Sequence, residues 1–479
     1  MRTLLIASAA GLCALVSTAS AQQAPPPAVA AIPPAVQATV DRLQKAAAES
    51  PNAWDIVEGL STEVGPRLAG SEAEAKAREW AVAMLRRQGF QNVRIEPFTL
   101  PYWERVGERA SIVTANGSQR LVVVTLGGSG STPEGGVEAE VMRFPSIAAL
   151  AAASNESVRG KIVFIDEVTN RTQDGSGYGA GVAKRGLCAP IAQGKGAAAC
   201  LIRSVGTDSH RFAHQGGPSR GRDGATLPAA ALSPPDADQI TRLLRRGPVR
   251  VKLEITVTTR EEVASGNVIG EIVGRERPDE IVVIGGHLDS WDQGTGAIDD
   301  GAGVAITTAA ARLIRDLPRR PRRTIRVVLW GSEETGVHGG AAYAREHAAE
   351  LDKHIVAAES DFGADVVYRL STKFGEGALP YGRAMQRAMA PLAVNAGPNT
   401  AGGGADVGGM RAGGVPIADL DQNGWDYFDY HHTPDDTLDK IDRVKLNQNV
   451  AAYATFAYLA AEMDWDFRKT AETPAPVAR

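Results

Sequence analysis

From Asn267 onwards, nearly continuous apolar runs alternate with segments of helical periodicity, and this alternation constrains the fold more than any other feature. Ile281–Gly285 and Thr324–Trp330 have the composition of strands buried on both faces. Helical spacing follows at Gly301–Leu317 and again at Val444–Met463. Strands that alternate with helices favour a mostly parallel sheet flanked by helices, so we predict an α/β fold.

The character of the sequence changes in the middle of the chain. Helical spacing dominates before residue 108, whereas short β-type runs punctuated by Gly and Pro follow it. We therefore predict one α/β domain in two parts, residues 35–107 and 263–468, interrupted by an inserted β-rich domain at residues 108–262. Residues 469–479 are predicted to be a loose tail.

The N-terminus has the organisation of a targeting segment. A basic start at Met1-Arg2 precedes the apolar stretch Leu4–Val16, and Ala19-Ser20-Ala21 is a small-x-small cleavage site. We predict a signal peptide at residues 1–21, cleaved near Ala21, and a flexible linker at residues 22–34. This interpretation predicts a secreted or periplasmic protein without a stable membrane anchor. The alternative is that the segment stays uncleaved and serves as an anchor.

Charge and cysteine content exclude several classes of protein. The net charge is -5, which argues against a nucleic-acid-binding protein, because those usually carry a basic balance. Three cysteines are too few for a disulfide scaffold. Export would leave Cys188 and Cys200 in an oxidising compartment, where they could pair if geometry allowed. We expect two buried free thiols instead, since both cysteines lie in apolar stretches of the sequence.

Histidine and carboxylate residues follow the predicted strands where each strand ends. In open α/β sheets, sites form outside the carboxyl ends of the strands. Each pattern alone is typical of a helix cap or a surface turn, but together they predict one shared site. The patterns are Gly286-His287-Leu288-Asp289, Asp299-Asp300-Gly301, Ser332-Glu333-Glu334, Glu359-Ser360-Asp361 and His431-His432-Thr433-Pro434-Asp435-Asp436-Thr437.

Nitrogen and oxygen donors in this ratio suit zinc in a catalytic site rather than a structural one. Five such ligands are too many for one open tetrahedral zinc. They suit two metals about 3.5–4 Å apart that share one carboxylate. A further carboxylate that binds no metal is then available as a general base.

This order of motifs resembles the co-catalytic di-zinc aminopeptidase family. Within that family, the chain looks most like the plasma glutamate carboxypeptidase (carboxypeptidase Q) branch. The sequence segments that carry this resemblance are Gly286–Asp292, Leu201–Val205, the doubled His431-His432 and the early loop Gly65–Ser71. The similarity covers nearly all of the mature chain, and the inserted segment resembles a protease-associated domain.

The resemblance implies a role for each motif residue and two zinc ions per chain. His287 and Asp361 would bind the first zinc, Glu334 and His432 the second, and Asp299 would bridge both. The choice of His432 over His431 depends on the downstream Thr-Pro-Asp-Asp-Thr register, and His431 remains the alternative.

Three further acidic residues receive roles from the same resemblance. Glu333 would be the general base that takes a proton from the attacking water. Asp289 would fix the ring of His287, as carboxylate–histidine–zinc pairs do, and Asp300 would orient ligands in a similar way.

One departure from the family pattern affects the substrate pocket. Many members carry Ser-Asp-His there, whereas the matching text here is Ala405-Asp406-Val407. Asp406 is retained and the histidine is not, so no metal ligand is lost. Tyr427, Tyr430 and His431 are the other candidate substrate contacts.

The predicted function is an exported zinc exopeptidase, of aminopeptidase or dipeptidase type, that hydrolyses small peptides. A glutaminyl cyclase-like enzyme with a single zinc is one alternative, although the intact Asp299 pattern speaks against it. A non-catalytic binding protein of the same fold is the other alternative. A homodimer is possible, and the preferred side chains are left open by the sequence.

Overall fold

The computed structural model describes residues 28–115, 117–217 and 227–471. The predicted signal peptide lies outside these ranges, as do residues 22–27 of the predicted linker and residues 472–479 of the predicted tail. Residues on both borders of the described part contact the protein body. The Ala30 N–H donates to the Pro380 carbonyl, and the Gly377 N–H donates to the Lys469 carbonyl.

The described part of the chain contains fourteen α-helices, joined by short π-helical and 3-10 turns. The helices are α1 Pro34–Glu49, α2 Asn52–Gly59, α3 Glu72–Arg87, α4 Ile147–Ala152, α5 Asn155–Val158, α6 Ser176–Gly181, α7 Ala183–Gly194, α8 Pro234–Leu244, α9 Ala302–Arg315, α10 His338–Glu346, α11 Leu379–Met389, α12 Gly408–Ala412, α13 Tyr427–Tyr430 and α14 Arg443–Glu462. Ser71 caps α3 as expected, because its side chain accepts the Glu74 N–H.

Strands alternate with these helices. They are β1 Gln91–Thr114, β2 Gly117–Leu121, β3 Val123–Thr125, β4 Val137–Phe144, β5 Ile162–Ile165, β6 Ala199–Arg203, β7 Ala229–Leu232, β8 Arg250–Ile272, β9 Arg277–His287, β10 Arg323–Trp330, β11 His354–Glu359, β12 Val367–Lys373, β13 Asn395–Ala396 and β14 Ile417–Gln422. The α/β prediction is therefore confirmed.

The described strands form one path of paired strands, β13-β12-β14-β11-β9-β10-β8-β4-β5-β6-β7-β3, with β1 and β2 beside it; the stretch from β13 to β8 is the sheet of the α/β part. Its centre is parallel, since β10, β9, β11 and β14 pair in parallel. Its flanks are antiparallel, because β8 pairs antiparallel with β10, and β12 pairs antiparallel with β14. The carboxyl ends of the central strands consequently meet at one edge of the sheet.

Alternate residues of the central strands point into two different apolar layers. Val282 and Ile284 of β9 pack with α9 and α14 in the larger layer. Val283 of β9 packs with Tyr343 and Met410, from α10 and α12, on the opposite face. Burial on both faces explains why these strands are apolar without alternation.

Two long strands connect the α/β domain with the inserted segment. β1 and β8 are antiparallel partners from Gln91↔Glu271 to Val113↔Arg250. The predicted borders of the insertion, at residues 108 and 262, fall inside these strands. The segment between them has apolar clusters of its own and contains helices α4–α8 as well as strands.

The expectation of two free thiols is wrong. Cys188 on α7 and Cys200 on β6 form a disulfide, with their Cα atoms 6.2 Å apart. Both side chains are fully buried, as expected. The pairing arises because α7 packs directly against the strand that follows it, which the spacing in sequence does not reveal.

None of the described helices combines the length and the apolar character that crossing a bilayer requires.

Candidate metal centre

The predicted ligands come together at the carboxyl edge of the parallel strands. β9 ends at His287, and β11 ends at Glu359, two residues before Asp361. β10 ends at Trp330, just before Glu333 and Glu334. Because the strands are parallel, the loops that follow them converge on one place.

The first group of donors consists of His287, Asp299 and Asp361. The His287 Nε2 atom lies 3.0 Å from Asp299 Oδ1 and 3.4 Å from Asp361 Oδ1. His287 and Asp299 are almost fully buried, and Asp361 is partly exposed. One nitrogen and two oxygens at these separations could hold a metal ion.

The second group shares Asp299 with the first. The His432 Nε2 atom lies 3.2 Å from Asp299 Oδ2 and 3.0 Å from Glu334 Oε2. Asp299 therefore presents one carboxylate oxygen to each group. This is the arrangement expected of a bridging carboxylate between two metal ions.

Hydrogen bonds to backbone carbonyls orient both ligand rings. His287 Nδ1 lies 3.0 Å from the Asp289 carbonyl oxygen, and His432 Nδ1 lies 3.2 Å from the Gln215 carbonyl oxygen. A carbonyl only accepts hydrogen bonds, so each Nδ1 carries the proton. Each Nε2 then faces the carboxylates, to which it donates in the metal-free chain, and it would offer its lone pair to a metal ion that takes the place of that proton.

His431 lies beside this centre but lacks such an orienting bond. Its ring stacks on that of His432 at a centroid distance of 3.5 Å, and its Nε2 atom lies 3.4 Å from Asp299 Oδ2. Its Nδ1 is buried and has no hydrogen-bond partner among the described residues. Because His432 has an orienting hydrogen bond at Nδ1 and His431 does not, we favour His432 as the ligand.

Asp289 and Asp300 contact the centre from behind the ligands. The Asp289 carboxylate accepts the backbone N–H groups of Glu333 and Glu334 at 3.0 and 3.3 Å. It lies 3.7 Å from the His287 ring nitrogen, so the carbonyl of Asp289 orients the ring and its carboxylate fixes the Glu333-Glu334 turn. Asp300 accepts the His287 N–H at 2.9 Å.

Glu333 is held by that turn, and its side chain lines the cavity beside the centre. Burial raises the pKa of Glu333 well above its usual value, and the charges of Asp361 and Glu334 raise it further. The pKa of Asp299 is instead held well below its usual value, because hydrogen bonds from His287 and His432 outweigh the effect of its burial.

Two residues of the centre have left-handed backbone conformations. Ser332, just before Glu333, has φ of 62°, and His432 also has φ of 62°. Such conformations are uncommon outside glycine and asparagine, and they concentrate at functional sites.

The donor set fits zinc. Glu334 Oε1 is buried and has no hydrogen-bond partner among the described residues. Imidazole nitrogens and carboxylate oxygens that face one another around a shared aspartate need a cation to balance their charge. His287, Asp299 and Asp361 would hold one zinc, and Asp299, Glu334 and His432 the other.

A cavity of about 360 Å³ opens onto this centre. Tyr427 lines it, together with Glu333 and the metal-ligand candidates Asp299, Glu334 and Asp361. Residues of the inserted segment line it as well, among them Tyr178 and Arg185 from α6 and α7.

Two of the predicted substrate contacts do not reach this cavity. Asp406 is fully buried, and its carboxylate accepts the Gly340 N–H at 3.0 Å. Tyr430 lines a neighbouring cavity of about 170 Å³, where Lys440 lies over its ring. Tyr427 and His431, by contrast, both lie at the wall of the larger cavity.

Two residues that help to build the centre have no role among the sequence motifs. Arg67, fully buried in the early Gly-Pro-Arg loop, donates to the carbonyls of Leu288, Thr295 and Gly296. His214 joins the inserted segment to the centre, since its Nδ1 lies 2.9 Å from the His431 carbonyl oxygen.

The Gly-Pro-Arg-Leu-Ala-Gly-Ser motif pointed towards Arg67 without revealing its function. No local pattern pointed to His214.

Known proteins resemble this chain in sequence and in fold. The model of Peptidase family M28 matches residues 267–457. Carboxypeptidase Q of Mus musculus is 35% identical over 403 residues, which are 84% of this chain and 84% of that protein. The crystal structure of a Peptidase M28 precursor from Shewanella amazonensis SB2B is 49% identical, with a TM-score of 0.89, and covers 92% of this chain and 99% of that one.

A more distant structure, a zinc aminopeptidase from Bacillus subtilis, shares the fold at 20% identity. It has a TM-score of 0.64 and covers 87% of this chain and 97% of that one. The resemblance inferred from the motifs is confirmed by the closer relatives. Since the similarity to carboxypeptidase Q extends over most of both chains, the protein belongs to peptidase family M28.

Proposed function

We propose that this metallopeptidase is an exported, two-zinc exopeptidase that hydrolyses small peptides. The observation that supports it best is the division of the Asp299 carboxylate, which offers one oxygen to His287 and the other to His432. When bound, the two zinc ions would lower the pKa of a water molecule and polarise the scissile carbonyl.

Glu333 is the general base in this proposal. Its N–H donates to Asp289, which fixes the turn, and its side chain lines the cavity beside the ligands. As a carboxylate beside the ligands, Glu333 would take a proton from the attacking water and pass it on to the leaving amine. The same carboxylate then acts as base and acid in turn.

The other residues hold this arrangement in place. His287 and His432 keep their Nε2 atoms on the ligand side through bonds to carbonyls. Asp300 and Arg67 fix the loops that carry His287 and Asp299. The inserted segment covers the cavity with Tyr178 and Arg185, which reduces access of bulk water.

Export is part of the proposal. It rests on the basic start, apolar stretch and small-x-small site before Gln22. The Cys188–Cys200 disulfide agrees with an oxidising compartment. N-terminal sequencing of the mature protein should begin at or near Gln22.

The test is zinc counting combined with peptide hydrolysis. Purified protein should contain two zinc ions per chain by mass spectrometry, lose activity on chelation and regain it with zinc. One zinc with cyclisation of N-terminal glutamine would support the cyclase alternative. Two zinc ions without hydrolysis of a dipeptide panel would contradict the proposed function and favour a binding protein.

A further inference from the structure

The two proposed zinc sites differ in the origin of the contacts that support them. The ring of His287, in the first site, bonds to the Asp289 carbonyl, and its backbone N–H donates to Asp300. All three residues belong to the α/β domain. The ring of His432, in the second site, bonds to the Gln215 carbonyl in the loop between β6 and β7 of the inserted segment. The second site is therefore built where two parts of the chain pack together.

Gln215 and His432 bond to each other in both directions. The Gln215 N–H donates to the His432 carbonyl at 2.9 Å, and His432 Nδ1 donates to the Gln215 carbonyl at 3.2 Å. The Gln293 side-chain amide, from the loop after β9, adds a bridge between the two parts. It donates to the His432 carbonyl at 3.1 Å and to the Ala213 carbonyl at 3.2 Å. Both the ring and the backbone of His432 are thus held from the inserted segment.

His214 holds the peptide group that precedes this ligand. Its Nδ1 donates to the His431 carbonyl at 2.9 Å, because a carbonyl only accepts hydrogen bonds. Its Nε2 pairs with Asp208 Oδ1 at 2.6 Å within the inserted segment, and the ring is fully buried. The Gly206 backbone lies so close to the ring that a Cβ atom there would collide with Nε2. Rotation of the ring would release both of these partners.

These contacts surround a residue whose backbone conformation is unfavourable. His432 has φ of 62°, and a left-handed conformation outside glycine persists only where the surrounding structure imposes it. The carbonyls of His431 and His432 both accept hydrogen bonds from the inserted segment. Without those bonds the backbone would relax and turn the His432 ring away from Asp299 and Glu334.

We propose that His214 is a positioning residue for the second zinc ion, and that His432 reaches its ligand position only when the inserted segment is docked. This inference rests on the two-zinc function proposed above and states how its second site is assembled. Zinc binding at the second site and docking of the inserted segment stabilise each other, because a coupling between two equilibria is reciprocal. The first site is built within the α/β domain and is independent of that docking.

The test measures the stepwise zinc affinities of the full-length protein, stripped of metal, by competition with a chromophoric chelator. The wild type should bind two zinc ions, and the step that His432→Ala abolishes identifies the second site. His214→Ala should weaken that step roughly 10- to 100-fold, the usual effect of losing a contact behind a metal ligand. The first step should be unchanged.

His210→Ala is the matched control for His214→Ala. His210 lies in the same loop and its ring is also near Asp208, at 3.5 Å, but it is exposed to solvent. Both zinc affinities should therefore be unchanged in His210→Ala.

Two amide variants separate the contact with His431 from general packing. In His214→Asn the side-chain nitrogen takes the place of Nδ1 and can still donate to the His431 carbonyl, so most of the second-site affinity should return. In His214→Gln the nitrogen takes the place of Nε2 instead, and the affinity should fall as in His214→Ala. Gly206→Ala should also weaken the second site, because its methyl group displaces the His214 ring.

Hydrogen exchange tests the reciprocal effect on the wild-type chain. Amide protons of residues 204–215, including the Gln215 N–H that donates to His432, should exchange more slowly once the second zinc ion is bound. In His432→Ala, zinc should give this segment no such protection. Exchange that is unaffected by zinc in the wild type would overturn the coupling.

The outcomes separate this inference from the function on which it rests. A second zinc ion bound as tightly by His214→Ala as by the wild type would overturn the positioning role and leave the two-zinc peptidase intact. Equal losses in His214→Asn and His214→Gln would also overturn it, as would equal weakening of both zinc ions in His214→Ala with a lowered melting temperature. A wild type that binds a single zinc ion would overturn the proposed function itself.

Discussion

Buried polar groups at the two ends of the central strands are arranged in opposite ways. At the amino ends, His354 at the start of β11 is bonded on both ring nitrogens, to the Tyr343 hydroxyl and the Glu350 carbonyl. Arg326 of β10 bonds to Glu271 and to the same Tyr343 hydroxyl. At the carboxyl ends, Glu334 retains a carboxylate oxygen without a partner among the described residues.

The two ends of the strands serve different purposes. Polar groups with matched partners stabilise the fold and have no capacity for a further ligand. Carboxylates that crowd together at the other end disfavour each other as anions, so they gain most when a cation binds. Substitutions at the two ends should therefore separate activity from stability.

The largest effect is expected from His432→Ala. Removal of a ligand nitrogen should reduce zinc from two ions to about one per chain and abolish most activity. His431→Ala is the matched control, because this ring lacks the orienting carbonyl, and it should keep two zinc ions. Metal analysis of both variants checks this; loss of zinc in His431→Ala alone would reverse the assignment.

Glu333→Gln should keep both zinc ions and the melting temperature while activity falls. The expected loss is roughly 10²- to 10⁴-fold in kcat, which is the usual contribution of a general base. Steady-state kinetics with parallel metal analysis test this. A fully active Glu333→Gln variant is incompatible with Glu333 as the base.

At the opposite end, Arg326→Met should destabilise the fold without altering the chemistry. The change removes the closest cation from the buried Glu271 carboxylate, which keeps Asn92 and the more distant Arg94, so the free energy of unfolding should fall by about 1–3 kcal/mol. Urea denaturation measures the loss. A double variant, Arg326→Met with Glu271→Leu, should recover much of the lost stability. The kcat should be unchanged in the single and in the double variant.

His354 should produce the smallest effect, visible as a pH dependence. Burial lowers its pKa from 6.5 to about 4, so the unfolded chain binds the proton more readily between these values. Its contribution to stability is present above pH 6.5 and is lost as the pH falls towards 4, by up to about 3 kcal/mol. The glutamine in His354→Gln cannot titrate, so the difference in unfolding free energy between wild type and variant should narrow as the pH falls through that window. A constant difference would refute this prediction.

Much of the centre was predictable because its residues follow apolar strands in short, local motifs. His287, Asp299, Glu334 and Asp361 each lie within a few residues of a strand end or a helix start, and parallel pairing then brings them together. The α/β class followed from the same alternation.

The remainder depends on contacts that no local pattern encodes. Arg185 and His214 reach the centre from the inserted segment, and their positions depend on how that segment packs. The direction of the Asp289 carboxylate is set by a turn after β10, so its role towards His287 could not be deduced from spacing alone. The Cys188–Cys200 pair likewise depends on a helix lying against a strand.

The long antiparallel pairing of β1 with β8, which three register shifts interrupt, bears on turnover. Because the inserted segment is attached by a two-stranded ribbon, swinging it away as a lid would bend or break backbone hydrogen bonds along both strands. Arg171 adds a second tether, since it bonds to Asp426 and Asp429 of the α/β domain. We therefore expect peptide length to be limited by the fixed width of the entrance, with products leaving by diffusion rather than by domain opening.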